Sequence, residues 1–212
     1  MNVLAIDTAS PNPAVSLSRG SELFEEALPS DRRSSEELVP ALRRILAAAR
    51  MRLGDCDRLA VCSGPGSFTG IRVGLATAWG LARASGIPVE TVSTLEAMAE
   101  AARPTGARRL AAVLDAGRGD AIFERFDLTE PRARSLAPAV RVPLREIAPT
   151  ASGDPIVALP AELIDPPRTE LSMRVASGLA LAVARTPRES PASAVAASYS
   201  RPSAAEEKRG AS

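Results

Sequence analysis

Between Arg58 and Ala84 an apolar run, Arg58-Leu-Ala-Val-Cys62, enters the turn Ser63-Gly-Pro-Gly-Ser-Phe-Thr-Gly70 and leaves it as a helix, Ile71 to Ala84, in which only Arg72 and Arg83 are charged. A buried strand followed by a short glycine-rich turn and a helix is the joint of an α/β fold, because it carries the chain back across the face of a sheet. Gly74, Ala76, Ala78, Gly80 and Ala82 leave the helix thin. Small side chains admit close backbone approach, so this helix is expected to pack on more than one face. The turn also invites an anion reading, since backbone N–H groups at a helix start bind phosphate. It matches neither common template: Thr69 stands at the third glycine of G-x-G-x-x-G, and a Walker A loop needs a lysine that the segment lacks.

Alternation and turn formers place the other elements. Asn2 to Ile6 is a strand ending at Asp7, followed by Thr8-Ala-Ser-Pro-Asn-Pro, and Ala14 to Leu17 and Glu22 to Leu28 are two more strands. Ser34 or Ser35 can cap the next helix. Leu38, Leu42, Ile45, Leu46 and Ala49 then recur at helical spacing over residues 34–51, with Pro40 expected to kink the helix or shift its start. Pro88 to Ser93 reads as a strand and Thr94 to Ala102 as a helix. After Gly106 the pattern restarts: Leu110-Ala-Ala-Val-Leu-Asp115, a small-residue turn, then a strand, which mirrors Leu4-Ala-Ile-Asp7. From the residues alone, internal duplication stays open. Strands at Ala139 to Val142 and Ile156 to Leu159, a helix at Leu171 to Arg185 and a flexible tail over 203–212 complete the reading.

Composition limits the chemistry. The chain holds no histidine, which excludes Ser-His-Asp and Cys-His catalysis and the histidine zinc and iron sites. Lys and Arg total 26 against 25 Asp and Glu, too even a balance, with too few aromatic rings, for a protein that grips nucleic acid by itself. Cys56 and Cys62 read as structural thiols. The first residues carry no basic segment, and the apolar stretch Val175 to Ala184 is too short to span a bilayer, so a cytoplasmic chain with no membrane or metal association is expected. Arg108-Arg109 and the Arg132/Arg134 pair read as a solvated face.

Asp7 with Thr8, and Asp115, are the candidate active carboxylates. Each aspartate ends an apolar strand and begins a turn, the position from which a carboxylate can face phosphates through a metal. The same position suits an aspartate that caps its own turn. Trp79, on a helix short of polar residues, is either core or an interface anchor.

Ser63-Gly-Pro-Gly-Ser-Phe-Thr-Gly-Ile-Arg-Val-Gly74, with Leu4-Ala-Ile-Asp-Thr-Ala, Arg33-Ser-Ser-Glu-Glu-Leu-Val-Pro40, Asp115-Ala-Gly-Arg-Gly-Asp-Ala-Ile-Phe123 and Tyr199-Ser-Arg-Pro202 in that order, resembles the TsaB (YeaZ) family of the tRNA threonylcarbamoyladenosine machinery. The resemblance implies an actin-like/Hsp70-like ATPase (ASKHA) fold of two related βββαβα halves, residues 1–104 and 105–202. The second half is shortened relative to the family, with its last segment expected to pack back on the first. It implies a non-catalytic subunit that supports a TsaD-like transferase modifying adenosine 37, reaches tRNA only indirectly, works with a TsaE-like ATPase and also pairs with itself. Pairing through helices 34–51 and 70–85 would involve Ser34, Leu38, Leu42, Ile45, Phe68, Thr69, Gly70, Arg72, Val73, Gly74, Thr77 and Trp79. Asp7, Thr8 and Asp115 would be a vestigial phosphate site, with no cofactor, or with ATP held weakly or only in the complex. The rival expectation is a small actin-like kinase or ATPase using Asp7, Thr8 and Asp115 around Mg-ATP. A peptidase, lacking histidine and any Ser-Lys dyad, is the third.

Overall fold

The computed structural model describes residues 1–30, 34–164, 171 and 173–185. The chain opens with β1 (Asn2–Asp7), β2 (Ala14–Arg19) and β3 (Glu22–Ala27), continues through α1 (Ser34–Ala48), β4 (Arg58–Cys62), α2 (Phe68–Ser85), β5 (Val89–Val92) and α3 (Thr94–Ala102). The second run is β6 (Arg109–Gly117), β7 (Asp120–Asp127), β8 (Arg134–Ser135), β9 (Val140–Pro143), α4 (Ile147–Ala151), β10 (Ile156–Leu159) and α5 (Val175–Arg185). Two sheets result, ordered β3-β2-β1-β4-β5 and β10-β6-β7-β8, with β9 also paired to β7.

The halves repeat one logic. β1 pairs antiparallel with β2 and parallel with β4, and β6 pairs antiparallel with β7 and parallel with β10. Period-2 alternation then decides which layer each side chain enters. Leu4, Ile6, Val15, Leu17, Leu59 and Val61 face α1 and α2, whereas Val3, Ala5, Ala60 and Cys62 face the layer of α3 and α5, with α5 lying against β1 and β4. In the second sheet Leu110, Ala112, Leu114, Val157 and Leu159 join that same central layer, while Ala111, Val113, Ile156 and Ala158 pack outward on Ile147 and Ala151 of α4. The result is five layers, with α3 and α5 shared between the sheets. α5 crosses α3 closely, and Ser16 on β2 donates to Ala176 O at 2.6 Å.

Several boundaries differ from expectation for identifiable reasons. α1 runs through Pro40 without a break but ends at Ala48, not residue 51. Arg50 adopts φ 53°, with Arg50 N donating to Ala47 O at 2.9 Å and Met51 N to Leu46 O at 2.9 Å. These are the bonds of a left-handed helix stop made without glycine, so no glycine announces it. α2 begins at Phe68, three residues before the first apolar position expected, because Ser67 accepts from Gly70 N at 3.1 Å and caps it. α5 starts at Val175 rather than Leu171, and β8 and α4 are short elements beyond those expected from the sequence. The expected tail at 203–212 and the Tyr199-Ser-Arg-Pro202 motif lie outside the described residues.

Candidate functional site

The turn between β1 and β2 meets the start of α2, and the contact is backbone on backbone. A Cβ added at Gly70 would stand 1.8 Å from Thr8 O, and one at Gly66 would stand 2.2 Å from Ala9 O. Ser67 N donates to Ala9 O at 2.8 Å and Thr8 Oγ1 donates to Gly70 O at 2.6 Å. Gly66 and Gly70 therefore admit the chain's own β1–β2 turn. Gly74 is buried beside Thr8 Oγ1, Val61 and Ile6, so its missing side chain serves the fold rather than a neighbouring helix.

Asp7 is fully buried. Its Oδ1 accepts from Ala9 N and Ser10 N, each at 3.0 Å, and its Oδ2 accepts from Ser10 Oγ at 2.5 Å. Burial pushes the carboxyl above its usual range, against the pull of the Ser10 and Ala9 hydrogen bonds. The Cys62 thiol, also hydrogen-bonded to Asp7, is driven up by burial first and by the Asp7 charge second. Of the two roles open to Asp7, the structure shows the turn-capping one. Thr8 is committed to Gly70. Asp115, at the matching place in the second half, is exposed and accepts from Gly117 N at 2.6 Å. Among the described residues no group of three or more His, Cys, Asp or Glu could hold a metal ion.

The predicted interface residues divide sharply. Leu38, Leu42 and Ile45 are buried on the first sheet, and Gly74 is on the buried face of α2, so these four face the protein's own core and present nothing outward. Phe68, Gly70, Val73 and Thr77 are half-buried. Thr69, Arg72 and Trp79 are exposed, Trp79 at 61%. Ser34 opens α1, and its side chain lies outside the described residues. Within the chain α2 packs through Ile71, Gly74 and Ala78, with Val73, Leu75, Leu81 and Ala82 partly buried beside them. Its other face, with Ala76, Gly80 and Arg83 alongside Trp79, is open to solvent, and Arg72 stacks on Phe68 with its guanidinium 3.8 Å from the ring centre. Sequence reasoning missed Val39 on α1, 45% exposed and apolar; an isolated β-branched residue off the stripe gave no signal.

A pocket of about 520 Å³ lies at the opposite end of β6, lined by Arg108, Arg109, Asp127, Thr129 and Asp154 among others. Its aspartates are already engaged, Asp127 by Thr129 and Arg134 and Asp154 by Arg125. No helix among the described residues is long and apolar enough to cross a membrane.

Two sheets of this order, each extended by a parallel strand on the far side of its first, define the actin-like (ASKHA) class of two-lobed proteins. The family model described as TsaD, tRNA N6-adenosine threonylcarbamoyltransferase, matches residues 28–208, and the chain belongs to that family, on its TsaB (YeaZ) branch. The tRNA threonylcarbamoyladenosine biosynthesis protein TsaB of Escherichia coli K12 is 36% identical over 131 residues, 61% of this chain and 57% of that protein. The Haemophilus influenzae TsaB is 37% identical over 125 residues, 58% and 52% of the respective chains. The matched stretch thus spans little more than half the length of these curated relatives. YeaZ from Pseudomonas aeruginosa superposes with a TM-score of 0.72 at 26% identity, covering 86% of this chain and 90% of that one.

Proposed function

We propose that this chain is a non-catalytic subunit of the tRNA N6-threonylcarbamoyladenosine machinery, docking on a TsaD-like transferase through the open face of α2 and the adjoining edge of α1. The observation that carries the reading is Trp79, a large apolar side chain left 61% exposed on a helix face where Ala76 and Gly80 stand beside it. A ring flanked by Ala76 and Gly80 can be enclosed completely by a partner, the arrangement that concentrates binding energy at one residue. Relatives named for threonylcarbamoyladenosine biosynthesis support the partner's identity, by kinship.

The chemistry of the chain supports a non-catalytic role. The chain holds no histidine, and Asp7 and Thr8 are spent on the β1–β2 turn and the start of α2. The same engagement makes nucleotide binding by the isolated chain weak, and no resident cofactor is needed. A TsaE-like ATPase would join at the paired subunits, tRNA would be reached through the transferase, a second copy would compete for the same helices, and the whole would work in the cytoplasm.

Depletion of the chain in its own organism tests this. Threonylcarbamoyladenosine in tRNA should fall and be restored by the wild-type chain but not by Trp79→Ala; an unchanged level on depletion refutes the role. If calorimetry instead shows tight Mg-ATP binding lost in Asp7→Asn, the kinase or ATPase reading replaces it.

A further inference from the structure

The two halves are joined by more than the apolar α3/α5 layer. Arg132 lies between β7 and β8 and belongs by sequence to the second half, yet its guanidinium reaches two carboxylates of the first. Nη1 donates to Glu90 Oε1 at 2.6 Å and Nε to Glu96 Oε1 at 2.5 Å. Glu90, on β5, is almost wholly buried, and its Oε2 accepts from Arg58 Nη1 on β4 at 2.7 Å, with side chains 6% and 5% exposed. One residue further on, Ala133 N donates to Glu100 Oε1 at 2.5 Å. The Glu100 side chain is fully buried and also accepts from Arg103 Nε at 2.8 Å and from Arg185 on α5. Glu96 and Glu100 stand one turn apart on α3, so one face of that helix holds two successive residues of the second half. The Arg132/Arg134 pair is therefore not a uniform solvated face: Arg134 is 59% exposed, but Arg132 is inserted.

The geometry matters because the two kinds of contact resist motion differently. Apolar layers of alanine and leucine tolerate small sliding. A planar guanidinium shared by two carboxylates, one already paired with a second arginine, has one satisfied arrangement, and withdrawing it leaves buried charge uncompensated. We propose that Arg132 is a latch: it holds the two halves in a single relative orientation, so that the turns ending β1 and β6 cannot part by the hinge motion with which two-lobed folds admit ligands. The latch goes beyond the proposed function and does not depend on the partner's identity. Its consequence is a first sheet, with α1 and α2 upon it, presented as a rigid, pre-organised docking body.

Spin labels on Ala47→Cys in α1 and Ala148→Cys in α4, both exposed positions, report the distance between halves, while the native Cys56 and Cys62 are buried from the label. Wild type should show one narrow distribution, unchanged by Mg-ATP. Arg132→Ala should add a longer, broader population raised at least tenfold, and Arg132→Lys an intermediate one, because an ammonium cannot fork across both carboxylates. Arg141→Ala, which removes the same charge from an exposed pair with Asp120 inside the second half, should leave the distribution narrow. Should Arg132→Ala fail to fold, Glu96→Gln supplies the weakened latch. A narrow, unshifted distance in Arg132→Ala or Glu96→Gln, even with a lowered melting temperature, or a broad distribution in wild type, overturns the proposal.

Discussion

Replacing glycine by alanine at two places on α2 should change stability in opposite directions. At Gly70 the new Cβ would stand 1.8 Å from Thr8 O and 2.8 Å from Thr8 C, where ordinary contact begins at 3.4 Å. Neither group is a flexible side-chain end, so the helix start or the β1–β2 turn must move. Overpacking of this kind costs about 1–3 kcal/mol. The movement also loosens the Thr8 Oγ1 bond to Gly70 O and the Ser67 cap, worth about 1 kcal/mol each. Alanine's better helix propensity returns at most about 1 kcal/mol. The net is a loss of about 3 kcal/mol, or roughly 6–12 °C in melting temperature for a chain of this size. At Gly80 a Cβ meets nothing within 4 Å, so Gly80→Ala should gain roughly 0.5–1 kcal/mol. Urea unfolding followed by far-ultraviolet circular dichroism measures both. A Gly70→Ala protein within about 0.5 kcal/mol of wild type would refute the close contact between α2 and the β1–β2 turn, and a destabilised Gly80→Ala would refute the open space beside α2 at that position.

Other outcomes follow from the same structure. Trp79→Ala should leave the isolated chain's stability within about 0.5 kcal/mol of wild type, because the ring is mostly exposed, while weakening partner binding by about 2 kcal/mol, some thirtyfold, in a titration of the pair. The Asp7 carboxyl is held above its ordinary value by burial, so the folded chain keeps that proton where the unfolded chain has lost it; the contribution to stability falls as pH rises from about 4 through the raised folded value. Asp7→Asn removes that slope, and melting curves from pH 4 to 7 should show the variant gaining on wild type as pH rises; parallel curves would contradict the assignment. Glu96 and Glu124, raised mainly by burial, act in the same direction in both proteins, so only the difference between the curves reports Asp7.

What the residues disclosed depended on whether the signal was local. α3 was legible end to end, since Ser93 caps its start through Glu96 N and the pattern ends at Ala102. β4 and β6 showed as apolar runs because both faces of their sheets are covered. The stop of α1 was not legible, because Arg50 takes a conformation that sequence patterns assign to glycine. At the site, the thinness of α2 was visible, but the object it makes room for was not: the close neighbour is Thr8, sixty-two residues from Gly70 along the chain. Asp7 was open between two roles because the choice rests on the backbone path of residues 8–10, which turns Ala9 N and Ser10 N back onto the carboxylate. Arg132 was misread because its carboxylate partners come from β5 and α3, and charge adjacency in sequence says nothing about such distant pairs.

Under the proposed function, the open face of α2 is the surface that meets a TsaD-like transferase. Sedimentation of the chain with the TsaD-like subunit of the same organism, at micromolar concentration, tests it most directly. The account predicts a stable complex for wild type that Trp79→Ala largely dissociates while Arg141→Ala, on the far half, does not. Separate sedimentation of the wild-type chains, or a complex indifferent to Trp79→Ala, would contradict it.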